Sequence, residues 1–79
     1  MKFGIKVMPR EVILDAQGRS VEQTLKNNKF QLSSCRVGKY IEVEIDSSSE
    51  EQARAEIKKM AEFVLYNPLI ETYLVEKLS

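Results

Sequence analysis

The chain has 79 residues, which predicts a single small domain over residues 1–79 with little room for an enclosed active site. Its 12 basic and 12 acidic residues balance, so there is no excess positive charge for binding nucleic acid or an anionic membrane. The apolar runs are far shorter than the roughly 20 residues that cross a bilayer, and Cys35 is the only cysteine, which excludes an internal disulfide. We expect a cytoplasmic protein that binds neither nucleic acid nor membrane.

The first third of the chain predicts a strand followed by a helix. Within residues 2–8, Phe3, Ile5 and Val7 alternate with other residues, as in a strand with one buried face. Asp15 can accept hydrogen bonds from the free amides at a helix start. A helix is therefore predicted over about residues 16–28.

The middle of the chain predicts two strands around a turn. Residues 32–37 form a weak extended run, and residues 40–45 alternate between an apolar and a polar face. The intervening Gly38-Lys39 pair lacks the glycine five residues earlier that a phosphate-binding loop requires, and a strand follows it instead of a helix. We interpret the pair as a hairpin turn in which Gly38 supplies a positive backbone angle.

The second helix begins in a serine-rich stretch. Ser48 and Glu51 fit a capping box, in which a hydroxyl and a carboxylate each accept a hydrogen bond from a free amide. A phosphoserine cluster is the alternative for this stretch. An apolar stripe at helical spacing follows and must end before Asn67-Pro68. Its members are Ala53, Ile57, Met60, Ala61 and Val64, and a last strand is predicted over about residues 69–77.

The resulting order β-α-β-β-α-β predicts an α+β, ferredoxin-like split β-α-β fold. Its four-stranded antiparallel sheet has the order 4-1-3-2, with both helices on one face. The other face is bare, and Lys2 and Lys6 can meet Glu42 and Glu44 there. Met8, Tyr40 and Leu74 lie on or near the same face. A solvated polar face and a partner-binding face both explain this pattern.

Catalytic chemistry finds no support in the sequence. The chain has no histidine, which excludes a Ser-His or Cys-His nucleophile, and one thiol with scattered carboxylates does not make a zinc site. We interpret Asp15 to Gly18 as a helix start and Cys35 as a packing residue. No catalytic residue, bound metal or cofactor-binding residue is predicted.

Three stretches together carry a family resemblance: LDAQG at residues 14–18, VGKYIE at 37–42 and NPLIETY at 67–73. Their order and spacing resemble those of the PurS family, the small subunits of formylglycinamide ribonucleotide amidotransferase. The resemblance runs from about Phe3 to Val75. The chain departs from the family at Ala16, where proline is common, but either residue suits the first helical position.

The resemblance implies an assembly role in a larger enzyme. In that enzyme a large synthetase subunit binds ATP and the ribonucleotide, a glutaminase subunit releases ammonia, and dimers of PurS hold the two together. The chain would be a non-catalytic small subunit of phosphoribosylformylglycinamidine synthase in de novo purine biosynthesis. It would bind no cofactor itself, while the complex uses ATP, magnesium and glutamine. The alternative is a small ligand-sensing regulatory module of the same fold.

Contacts with partners are predicted at the hairpin corner and along the last strand. Strands 2 and 4 of the predicted sheet are open edges, which invite pairing with another strand and favour a homodimer or a larger assembly. The candidate interface residues are Arg36, Gly38, Lys39, Tyr40, Asn67, Pro68, Tyr73 and Leu74.

Overall fold

A computed structural model describes residues 1–11 and 14–79. In chain order it contains β1 (Lys2–Pro9), α1 (Ala16–Asn27), β2 (Lys39–Glu44), α2 (Glu50–Met60), one π-helical turn (Ala61–Leu65) and β3 (Glu71–Lys77). The α+β class with two helices is confirmed. No helix within these residues is long and apolar enough to cross a membrane.

The sheet is antiparallel and has the order β2-β1-β3. Ile5 at the middle of β1 lies opposite Ile41 of β2 and Val75 of β3. Because β1 is central and α2 covers one face, its inward side chains are fully buried. The core consists of Phe3, Ile5 and Val7 of β1 with Ala53 and Ile57 of α2.

The sheet has three strands, whereas four were predicted, because residues 32–37 do not form a strand. Two amides of this segment bind side chains of the α1 region. Cys35 N donates to Glu22 Oε1 at 2.9 Å, and Val37 N donates to Asp15 Oδ2 at 2.9 Å. The segment is therefore tied to α1 and not to β2. The three strands that form keep their predicted neighbours.

Helix α1 and residues 28–37 form a unit that we call the arm. No α1 residue belongs to the buried core or to the partly buried apolar residues packed against it, within the part of the chain that the structure describes. The Cα radius of gyration is 15.7 Å, against about 12 Å for a compact chain of this length. The molecule is elongated, with extents of 49 × 26 × 15 Å.

The start of α2 differs by one residue from the prediction. The N-cap is Ser49, whose hydroxyl accepts a hydrogen bond from Gln52 N at 3.3 Å, and it is not Ser48. Ser49 itself is positioned by a hydrogen bond from its amide to Ser47 Oγ at 3.2 Å. In a run of three serines the local pattern does not distinguish which hydroxyl reaches the free amides.

The end of α2 widens into the π-helical turn. Tyr66 N donates to the carbonyl of Ala61, five residues earlier, at 3.3 Å. This spacing changes the angle between successive side chains relative to an α-helix. Ala61 is buried as predicted, but Val64 is 69% exposed, so its predicted place on the buried stripe was wrong.

Candidate interaction site

The outward face of the sheet contains an apolar groove with a volume of about 370 Å³. The Tyr40 ring lies across Gly4, since a Cβ on that glycine would be 2.6 Å from Tyr40 Cζ. Lys6 Nζ lies 3.0 Å from Glu76 Oε2, so the ion pair of this face joins Lys6 to β3 and not to the predicted Glu42 or Glu44 of β2. The groove is lined by Lys6, Met8, Gly38, Lys39, Tyr40, Thr72, Tyr73 and Leu74.

Five of the eight candidate interface residues meet at this groove: Gly38, Lys39, Tyr40, Tyr73 and Leu74. The ring of Tyr73 is directed differently from Leu74, because neighbouring side chains of a strand point to opposite faces. It packs against the core and against the Tyr66 ring, with 4.6 Å between the ring centroids and a tilt of 58° between the ring planes. Desolvation by burial raises the pKa of Tyr73. Tyr40 and Leu74 therefore offer the exposed apolar surface of the groove.

Gly38 is required because a Cβ would not fit at this position, and not because of its backbone angle. None of the three glycines has a positive φ, so the predicted positive angle at Gly38 was wrong. A Cβ at this position would instead collide with the carbonyl oxygen of Val7 and with Met8 Sδ. The chain thus approaches the end of β1 closely as it enters β2.

Arg36 lies outside the groove, at the joint between the arm and the sheet. Its guanidinium donates a hydrogen bond to the carbonyl of Pro9. A second concavity, of about 500 Å³, lies here and is lined by Glu11, Leu14, Asp15, Arg19, Glu22, Cys35 and Arg36. A third, also of about 500 Å³, is lined by Met8, Pro9, Arg10, Glu11, Arg36 and Thr72.

The carboxylates of the second concavity hold backbone. Asp15 caps α1 as predicted, accepting from Gly18 N at 2.8 Å, and it also accepts from Val37 N. The hydrogen bonds from these two amides, of which the one from Val37 has the larger effect, lower the pKa of Asp15. The pKa of Glu22 is lowered chiefly by a hydrogen bond from Lys26. A carboxylate with a lowered pKa is a weak base, which does not favour a role in proton transfer. Both side chains instead hold residues 35–37 against the α1 region through hydrogen bonds, a contact that we call the arm clamp.

The absence of a side chain at Gly18 allows Asp15 and the backbone of Cys35 to approach the start of α1. This glycine is the buried residue of α1, and a Cβ there would lie 2.7 Å from Asp15 Cγ and 2.8 Å from the carbonyl oxygen of Cys35. The sequence pattern identified Asp15 as a cap but did not identify the contact with residues 35–37. The Asp-x-x-Gly spacing was the available signal, because it places a residue without a side chain beside the cap.

Asn67 and Pro68, the remaining interface candidates, lie in the turn that precedes β3. Arg10 contacts this turn: its Nε and Nη2 donate to the carbonyl of Pro68 at 3.2 and 2.8 Å. The pairing was not visible in the sequence, because the two residues are 58 positions apart. The structure thus divides the candidates among the groove, the joint of the arm and this turn.

Comparison with known proteins decides the family. The model of the PurS family, described as phosphoribosylformylglycinamidine (FGAM) synthase, matches residues 2–79. The chain belongs to the PurS family. It is similar to phosphoribosylformylglycinamidine synthase subunit PurS from Thermotoga maritima, with 35% identity over 78 residues that cover 98% of this chain and 95% of that protein.

Solved structures of the family have the same fold. PurS from B. subtilis matches with a TM-score of 0.84 and 33% identity, covering 95% of this chain and 94% of that chain. A chain in the structure of PurLQS from Thermotoga maritima matches with a TM-score of 0.91 and 35% identity, covering 98% and 95%. The family prediction from the sequence is confirmed.

The three stretches that carried the family resemblance occupy the three places described above. LDAQG contains the Asp15 and Gly18 of the arm clamp. VGKYIE enters β2 and contributes to the groove, and NPLIETY forms the turn that leads into β3. The first motif thus marks a place where two backbone segments approach closely, and the other two mark exposed surfaces of the sheet and of the turn before β3.

Proposed function

We propose that the chain is a non-catalytic small subunit of phosphoribosylformylglycinamidine synthase that bridges the synthetase and glutaminase subunits in the cytoplasm. The observation that carries this proposal is its similarity, over 98% of its length, to a chain in the PurLQS structure. The local chemistry agrees, since the carboxylates of the arm are engaged with backbone amides. ATP, magnesium and glutamine are used by the assembled complex and not by this chain.

The proposal includes pairing with a second copy. Val21 and Phe30 of the arm are 39% and 61% exposed, although an amphipathic helix gains most of its stability from packing its apolar face. Leu74 on the outward face is 72% exposed. A stable dimer removes about 1,200–2,000 Å² of surface from water, and the arm and the groove together offer apolar surface for this purpose.

Residues 32–37 suit a fourth strand that forms between copies. Alternate amides of an extended segment point in opposite directions. The amides of Cys35 and Val37 bind carboxylates of the α1 region, so those of Ser34 and Arg36 are directed away from it. We propose that this side pairs with a strand edge of the second copy, which would complete the four-stranded sheet of the predicted ferredoxin-like fold.

Reconstitution tests the bridging role. The chain is mixed with the synthetase and glutaminase subunits of the same organism, and complex formation and glutamine-dependent product formation are measured. We expect both to require this chain, and we expect the isolated chain to show neither glutaminase nor ATPase activity. Full glutamine-dependent activity without the chain would contradict the bridging role.

Sedimentation equilibrium tests the pairing. The wild type should have twice the 9.1 kDa mass of one chain, or more, at micromolar concentration. Leu74→Lys should shift the equilibrium toward the monomer without unfolding the chain, because that side chain is exposed. A monomer mass across a hundredfold range of concentration would contradict the pairing. Tyr73→Asp is unsuitable for this test, since the Tyr73 ring packs against the core.

A further inference from the structure

Two arginines line the third concavity, which has a volume of about 500 Å³ and is here called the arginine cleft. Arg10 directly follows β1, and Arg36 lies in the segment that joins the arm to β2. The fold thus brings together two guanidinium groups from separate parts of the sequence. The cleft is lined by Met8, Pro9, Arg10, Glu11, Arg36 and Thr72.

Both guanidinium groups are held in place by backbone carbonyls. Arg10 donates through Nε and Nη2 to the carbonyl of Pro68, and Arg36 donates through Nη2 to the carbonyl of Pro9. A guanidinium has five N–H donors in a planar fork. Within the residues that the structure describes, three donors of Arg10 and four of Arg36 therefore have no acceptor. The two groups are positioned, and most of their donors remain available to a ligand.

The positive charge of the cleft is not balanced by ion pairs. The ion pairs of residues 1–11 and 14–79 involve other cations than Arg10 and Arg36. The nearby acids Asp15 and Glu71 accept hydrogen bonds from backbone amides instead. Glu11 is the carboxylate that lines the cleft in the described part of the chain. Two guanidinium groups against one carboxylate leave one net positive charge, which favours an anionic ligand.

We propose that the arginine cleft binds the phosphate group of a small phosphate monoester. A phosphate monoester carries a charge of about −1.5 to −2 at pH 7 and presents three acceptor oxygens, so it can bridge two guanidinium forks. A carboxylate has two oxygens and one charge, which match a single fork. The carbon part of the ester lies against Met8 and Pro9, which are half-buried apolar walls of the cleft. Binding here does not depend on the bridging role.

An NMR titration of the isotope-labelled chain tests the site with ligands that differ in one group at a time. Phenyl phosphate should shift the Nε–H signals of Arg10 and Arg36 together. Inorganic phosphate should bind about two- to fivefold more weakly, because it leaves Met8 and Pro9 uncovered. Benzoate, with the same ring and a carboxylate, should bind at least about threefold more weakly than phenyl phosphate. Phenol, which lacks the anion, should not shift the arginine signals.

Substitutions in the cleft should change the affinity for phenyl phosphate in opposite directions. Arg10→Gln and Arg36→Gln should each weaken binding by about three- to tenfold, because each removes one exposed charge-assisted contact. Glu11→Gln should tighten binding by about two- to threefold, because it removes a like charge. A disturbed fold would not produce this gain.

The matched control is Arg54→Gln, which removes the same charge beside the Phe3 ring, about 20 Å from the cleft along β1. It should leave the affinity for phenyl phosphate within about twofold of wild type. Equal losses for Arg36→Gln and Arg54→Gln would indicate general attraction of anions and overturn the site.

Three results with the wild-type chain would also contradict the assignment. Unchanged arginine signals at tens of millimolar phenyl phosphate would exclude the site. Equal binding of benzoate would assign the cleft to carboxylates, and equal binding of inorganic phosphate would assign it to the free anion instead of an ester. Each of these results leaves the bridging role standing, because the titration uses this chain alone.

Discussion

The inward side chains of β1 and the α2 residues that face them are fully buried, whereas the apolar side chains of the arm are half-buried or exposed. Ile5 and Ile57 are fully buried, while Phe30 of the arm is 61% exposed. The arm is instead held by the carboxylates of Asp15 and Glu22, which bind backbone amides of residues 35 and 37. An apolar pattern in the sequence thus does not by itself place a side chain in the core of its own chain.

The largest expected difference between the two regions is in the cost of truncating an apolar side chain. Ile57→Ala should lower the free energy of unfolding by about 2–5 kcal/mol, because it opens a cavity in the core. Val21→Ala in the arm should change it by no more than about 0.5 kcal/mol in dilute solution. Urea unfolding followed by circular dichroism measures both.

Measuring the stability losses of Val21→Ala and Ile57→Ala at several protein concentrations separates the two regions further. If a second copy covers the arm, the effect of Val21→Ala should grow as the concentration rises, while that of Ile57→Ala stays the same. Equal losses for the two variants in dilute solution would show that the arm is packed as firmly as the sheet.

A smaller effect is expected at Gly18, where the arm depends on close backbone approach. In Gly18→Ala the new Cβ meets Asp15 and the backbone of Cys35, and overpacking destabilises by about 1–3 kcal/mol. Helix propensity favours alanine by about 0.5–1 kcal/mol, so a net loss of at most about 2.5 kcal/mol is expected. Thermal unfolding and hydrogen exchange of the Cys35 and Val37 amides measure it.

Gly4→Ala provides the matched control in the sheet. Its new Cβ meets only the Tyr40 ring among its nearest contacts, and an exposed ring can move toward solvent where a backbone carbonyl cannot. The loss of stability should therefore be smaller than in Gly18→Ala. The reverse order would show that the open face is more rigid than the arm clamp.

Acid should loosen the arm before the sheet. The pKa of Asp15 is lowered from its usual 3.8, so its contribution to stability is fully present above that value and is lost as the pH falls through the lower, folded-state pKa. The amide NMR signals of Gly18 and Val37 should shift together below pH 3.8. Asp15→Asn should abolish this titration, whereas core residues such as Ile5 should show no coupled change.

The smallest effect is expected for Cys35→Ser. The clamp uses the backbone amide of Cys35 and not its thiol, and the side chain is only partly buried. Stability, assembly and the activity of the complex should therefore remain close to wild type. Loss of activity with the complex intact would show a chemical role for the thiol.

The sequence predicted those parts of the fold that depend on local periodicity. The alternation of Phe3, Ile5 and Val7 identified the central strand, and Asp15 identified the start of α1. The second helix was recognised from its stripe, of which Ala53 and Ile57 are buried. The patterns of β1 and α2 succeed because each of these two elements packs one face on the core and turns the other toward water.

The errors arose where distant groups decide the structure. Residues 32–37 were interpreted as a weak extended run, but carboxylates 13 and 22 positions away along the chain bind two of their amides. The position of Gly38 is set by the end of β1 and not by a turn angle. The groove candidates come together because β2 and β3 both flank β1, as the predicted strand order requires, whereas the contact between Arg10 and Pro68 joins two ends of the sequence.

The projecting arm also determines how the protein moves through water. A chain with extents of 49 × 26 × 15 Å has more friction than a sphere of its mass, so a lone copy should elute from a sizing column ahead of compact 9 kDa proteins. Early elution therefore does not by itself indicate a dimer. Conversely, a variant whose arm folds back should elute later at unchanged mass, and the elution volume then reports the position of the arm.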